Sequence, residues 1–230
     1  MRIEIRGAIA AVVILLAGCA TPPQQPMPLT DTALTASQGK LGVAMTPLPK
    51  VDTHLPGAGC LLCLAAASMA NQALTAHSQS LPYEDLPKLK EMVAGLLRKK
   101  GIDAVVVAED VNVEGLASYS GQAANAAPKD FTPLAQKYNV DRLLVISIST
   151  LGFERAYSAY IPTSDPKGVL RGTGYLVNLK DNTYGWYQPV QVLKSADSNW
   201  DEAPKFPGLT NAYFQVLELG KDEFLKPFSK

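Results

Sequence analysis

Arg142-Leu-Leu-Val-Ile-Ser-Ile-Ser-Thr150 is the stretch that decides the fold. Its first half is apolar at every position, which a strand allows only where both faces are covered. Its second half alternates Ile146 and Ile148 with Ser147 and Ser149, as a strand does on leaving that cover. We therefore read it as the central strand of a sheet, running out toward solvent. Upstream, Asp130 can cap a short helix in which Leu134 and Tyr138 share one face, and Asp141 leads into the strand.

Downstream the chain stays extended from Gly152 to Ile161, turns at Pro162–Gly168, and gives strands at Val169–Leu179 and Tyr184–Leu193 joined by Lys180-Asp-Asn-Thr183. Consecutive extended segments joined by short turns predict an antiparallel meander. Pro189 has no N–H for a ladder, which sends the last strand to an edge or a bulge. Thr210 is the expected cap of a C-terminal helix burying Ala212, Val216 and Leu217.

Before the central strand, Lys40–Thr46 alternates with period two and ends at Pro47 and Pro49. Leu86, Leu89, Met92, Val93, Leu96 and Leu97 form one stripe of an amphipathic helix that Gly101 stops. Asp103–Ala108 contains an unbroken β-branched run expected to be covered on both faces. Strand, helices, strand in that order imply a crossover and a parallel pair. Glu114–Lys129, rich in Gly, Ser, Ala and Asn, reads as a surface loop. The fold class is thus α/β (α+β). We expect a mixed sheet of about five strands with a parallel βαβ part, a C-terminal antiparallel meander and helices packed on it.

Cys60 to about Gln79 is a helix whose polar residues Ser68, Asn71, Gln72, Thr75 and Gln79 form only a narrow stripe. Its first two turns carry no polar side chain, so they belong in the core, in a subunit interface or in lipid. Homo-oligomerisation through this helix is one expectation.

The amino terminus fixes location. Arg2 and Arg6 precede an apolar run from Ala8 to Ala17, the layout of a secretory signal and too short to span a bilayer. It closes on Leu16-Ala17-Gly18-Cys19, which resembles the bacterial lipobox. The resemblance implies a signal peptide over 1–18 and a covalent lipid (palmitate and related acyl chains) on Cys19, the membrane anchor and only cofactor expected. Residues 19–39 are then a lipidated cysteine and Pro-rich tether, and 40–230 a single periplasmic domain. Ala20, in place of the aspartate that commonly retains such lipoproteins in the inner membrane, implies the outer membrane.

Removing Arg2, Glu4 and Arg6 from 21 basic and 21 acidic residues leaves 19 and 20, a near-neutral chain with no large basic cluster, which argues against nucleic acid. Nucleophile elbows, Walker loops and zincin pairs are absent, so no catalytic residue and no enzyme activity are expected. The acidic pairs Glu84-Asp85 and Glu109-Asp110 stand at element ends as solvated carboxylates. Cys60-Leu-Leu-Cys63 admits a structural disulfide or plain core packing, a thiol-redox site, or, with His54 and His77, a zinc site. Tyr157, Tyr160, Tyr175, Tyr184, Trp186 and Tyr187 form either a partner surface or core.

Leu41-Gly-Val-Ala-Met45, Leu96-Leu97-Arg-Lys-Lys-Gly101, Leu134 to Val145 and Asn182-Thr-Tyr-Gly-Trp186 together resemble a periplasmic α/β domain. That domain is shared by the curli secretion channel lipoprotein, the lipoprotein activators of penicillin-binding proteins and the amino-terminal domain of TolB. The apolar helix departs from it by lacking the alternation of channel-forming hairpins. The resemblance implies a cell-envelope lipoprotein that binds protein partners as an accessory or assembly factor. The alternatives are the thiol-redox or zinc protein, and a small-ligand sensor in a cleft beside Glu114–Lys129.

Overall fold

The structure is a computed structural model that describes residues 24–35 and 39–229. The lipobox and Cys19 lie outside the described residues. In chain order come β1 (Leu41–Met45), β2 (Asp52–His54), α1 (Leu61–Ala70), α2 (Gln72–Ser78), α3 (Leu89–Lys99), β3 (Ala104–Val106) and α4 (Pro133–Tyr138). They are followed by β4 (Arg142–Glu154), β5 (Tyr157–Ser158), β6 (Ile161–Pro162), β7 (Lys167–Asn178), β8 (Thr183–Ser195) and α5 (Pro207–Leu225).

One six-stranded sheet runs β3-β1-β4-β7-β8, with β2 beside the far end of β4. β4 is central, as its sequence requires. β1 and β2 share one of its edges in parallel, β1 along Arg142–Ile146 and β2 along Gly152–Glu154, while β7 lies antiparallel on the other. β3 pairs in parallel with β1, the crossover expected from helix-rich residues between them. β8 completes the meander at an edge, where Pro189 needs no ladder hydrogen bond.

Alternation sorts the sheet's side chains into two cores. Leu41, Val43, Leu144, Ile146 and Ile148 pack under α3 and α5, with Tyr213, Val216 and Phe224. Ala44, Leu143, Val145 and Val177 lie on the opposite face under α4 and the 107–131 loop, with Phe131 and Leu134. A register shift between Ile148 and Thr150 resets the alternation, so Leu151 and Phe153 rejoin the first core.

Several expectations need correction. The apolar helix is two helices, broken at Asn71, whose Nδ2 donates to the Ala67 carbonyl (2.7 Å) and to Tyr157 Oη (2.6 Å). β3 is an edge strand with Val105 and Val106 half-buried, because only β1 flanks it. Asp130 does not cap α4 directly but accepts from the Thr132 N–H (3.0 Å). α5 starts earlier than Thr210, at Pro207, whose missing N–H costs nothing in a first turn. The Thr210 hydroxyl instead donates to the Phe206 carbonyl (3.0 Å).

Part of the Pro-rich segment expected as a tether is held against the sheet. Met27 exchanges two backbone hydrogen bonds with Tyr187 (2.8 and 3.2 Å), so an extended, proline-flanked residue covers part of the open edge of β8. The buried Arg142 guanidinium then donates to the carbonyls of Ala33 (2.6 Å) and Gly39 (3.0 Å), fastening the segment to the start of the central strand.

Candidate functional site

Among the described residues, α1 is packed along a single line of small side chains. Cys63 and Ala67, one helical turn apart, pack against Ala58 and Tyr157, and every other position is exposed. Leu61, Leu62 and Met69 are 85, 81 and 79% exposed, and Leu64 is exposed as well. Of the three settings the sequence allows for this helix, the core formed by the described residues is excluded. Beside it the β5–β6 hairpin leaves Tyr160 and Ile161 exposed, tied to the α1 approach by Tyr157 N–H to the Pro56 carbonyl (2.8 Å) and Ala159 N–H to Gly57 (3.1 Å). Gly57 is required there, since at φ +88° a Cβ would sit inside the Tyr157 carbonyl oxygen. Among the described residues no helix is long and apolar enough to cross a membrane.

Cys60 and Cys63 are joined as a disulfide across the first turn of α1. Their sulfurs are bonded to each other, and the two histidines stand apart from them. His54 Nε2 lies 3.3 Å from the Leu151 carbonyl oxygen, and His77 Nε2 lies 2.7 Å from Thr210 Oγ1. Among the described residues no three His, Cys, Asp or Glu side chains gather as a metal-binding group.

His77 is held instead by Phe153 and Phe206, with ring centroids at 6.3 and 5.6 Å. Burial, with help from the Lys205 charge, lowers its pKa below the usual 6.5. A depressed imidazole pKa makes protonation favour the unfolded chain, so its contribution is present above pH 6.5 and is lost as pH falls through the folded-state value. The urea midpoint of the native chain should therefore fall more steeply on acidification below pH 6.5 than that of His77→Gln. Superimposable pH profiles would show that this imidazole does not titrate with unfolding.

The aromatic group divides. Tyr157 and Trp186 are buried, the latter against Phe228 at 5.4 Å, and only Tyr160 stands clear on the surface. The six rings do not make one partner surface, because strand alternation sends Trp186 and Tyr187 to opposite faces. Tyr175, Tyr184 and Tyr187 form a separate cluster at a half-open cleft of about 480 Å³ beside the Glu114–Lys129 loop. Cross-strand register places Tyr187 opposite Tyr175, and no single segment of sequence reveals that pairing.

The acidic pairs are less solitary than expected. Asp85 pairs with Lys221, and Glu109 pairs with Lys137 (2.6 Å) while accepting from Tyr138 Oη (2.8 Å).

No protein-family model matches the chain, and no curated protein matches it in sequence. Solved structures with a similar arrangement include the PelC dodecamer of Paraburkholderia phytofirmans, 13% identical over 89% of this chain and 95% of that one, with a TM-score of 0.39. Protein XCC0632 of Xanthomonas campestris, of family DUF330, is 15% identical over 89% and 93%, with a TM-score of 0.40. Lipoprotein GNA1162 of Neisseria meningitidis is 13% identical over 78% and 96%, with a TM-score of 0.29. At these scores the likeness is one of broad architecture, and no activity, residue role or assembly carries over.

Proposed function

We propose that this chain is an outer-membrane lipoprotein, anchored through Cys19 with its domain in the periplasm. It acts by contact rather than turnover, as an accessory or assembly factor of an envelope or secretion machine. The observation that carries the reading is the face of α1. Leu61, Leu62, Leu64 and Met69 project from a helix with no charged residue. Burying each large apolar side chain stabilises an interface by roughly 1.5–3 kcal/mol. In a symmetric contact each residue counts twice, which brings the sum into the range that offsets the cost of association.

A protein is a better occupant of this face than a bilayer. Interfacial helices present Lys or Arg beside their apolar face, and neither α1 nor α2 contains either. The occupant we assign is a second copy of the chain, with other envelope proteins joining the assembly. The lipobox supports attachment to the membrane, and the docking of Met27 supports close attachment. From Cys19 to the docked Met27 the chain can reach roughly 29 Å at most.

A photo-crosslinking residue placed at position 62 in living cells tests the reading. Protein adducts, including one of twice the chain's mass, are expected; adducts to lipid alone would overturn it.

A further inference from the structure

The cleft beside the Glu114–Lys129 loop shares no residue with α1 and is independent of the contact function. Three neighbouring strands change character at the same level. One residue past the end of β1, Thr46 continues the face that carries Ala44, and on β4 the face that carries Val145 next presents Ser147. On β7 the same face carries Val177, then Tyr175, then Thr173. Register brings these changes together, because Met45 lies opposite Ile146 and Ser147 opposite Thr173. Thr46 Oγ1 and Ser147 Oγ are 3.2 Å apart. A row of hydroxyls thus continues an apolar core face where the covering loop ends.

Next to this row stand three phenols. Tyr175 and Tyr184 are only 7 and 8% exposed, yet the hydroxyls of Tyr175, Tyr184 and Tyr187 have no hydrogen-bond partner among the described residues, and none is sealed from the cleft. Open at the cleft wall, these phenols can donate to and accept from whatever enters it. Burial pushes the Tyr184 hydroxyl up to about 12 and that of Tyr175 higher still, which keeps both neutral, able to donate and to accept.

The remaining chemistry limits the ligand's charge. The three ring centroids lie 5.2, 5.6 and 6.2 Å apart, so the rings pack on one another rather than forming a cage around a cation, and among the described lining residues the one acidic side chain, Glu114, is matched by one basic side chain, Lys129. An anion would need a free positive group. The one cation among the described lining residues, Lys129, already donates to the carbonyls of Glu114 (2.8 Å) and Leu116 (3.2 Å), and Glu114 itself lines the same cleft. What remains is a neutral ligand with many hydroxyls and an apolar face to lay on a ring, in a space of the size that small ligands occupy. The geometry points to this cleft as a binding site for a short neutral saccharide.

Saturation-transfer NMR on the purified full chain tests it, with cellobiose and N,N′-diacetylchitobiose as neutral probes and glucuronate and choline as charged ones. Saturation of the neutral sugars is expected. Thr173→Val and Tyr187→Phe, which keep shape and remove one hydroxyl each, should each weaken binding by about tenfold. Both sites are only half-buried, and an unchanged thermal transition for each variant confirms that the fold is kept. Silence from both neutral sugars, equal binding by the variants, or a stronger response from either charged probe would each overturn the assignment.

Discussion

Replacing Asn182 with alanine is expected to lower the stability of the domain by roughly 3–4 kcal/mol, among the largest effects of any single polar side chain here. Asn182 is fully buried at the β7–β8 turn. Its Oδ1 accepts from the Phe131 N–H (2.8 Å), and its Nδ2 donates to the carbonyls of Ala127 (3.0 Å) and Lys129 (2.9 Å). All three partners belong to the loop that closes the second core, and the bonds to Phe131 and Ala127 are buried away from water. Each loses about 1 kcal/mol net. The backbone adds to this, because Asn182 sits at φ +58°, a conformation in which alanine is worse by about 1 kcal/mol. Asn182→Asp should not rescue stability, since a carboxylate keeps the acceptor but faces two carbonyl oxygens. Urea unfolding followed by circular dichroism measures the change, and a loss below about 1 kcal/mol would mean that the loop holds itself down.

That residue also shows where sequence reasoning stops. Lys180-Asp-Asn-Thr183 is legible as a turn because Asp and Asn favour such backbone. That one side chain of the turn pins a loop more than 50 positions away depends on tertiary packing, which composition does not encode. The central strand was the opposite case. Leu143 and Val145 serve one core and Leu144 and Ile146 the other, so unbroken apolarity translated directly into double cover.

β2 was invisible for a different reason. Asp52-Thr53-His54 has neither alternation nor an apolar residue, and it pairs with β4 because Gly152, at φ +128°, lets the two backbones approach where a Cβ would strike the Asp52 carbonyl. The hydroxyl row of the cleft was hidden as well. Thr46, Ser147 and Thr173 are unremarkable one by one and become a site only once register aligns them.

α1 marks a limit of another kind. A helix apolar around most of its circumference must be covered, but periodicity does not say by what. The described residues cover only Cys63 and Ala67 and leave its large side chains outside. The second large effect follows from that arrangement. Leu62→Glu combined with Met69→Glu should abolish self-association while changing the stability of the isolated domain by less than about 0.5 kcal/mol, because both positions are already exposed. At a contact the same two carboxylates would be desolvated without partners, a penalty of several kcal/mol for each.

Size-exclusion chromatography with light scattering tests this most directly, on the chain carrying Cys19→Ser so that acyl-driven aggregation plays no part. The account predicts a multimer for that chain and a monomer of unchanged circular dichroism once Leu62→Glu and Met69→Glu are added. A monomer before those substitutions, or a multimer that survives them, would contradict the claim that the bare face of α1 is where this protein meets its own kind.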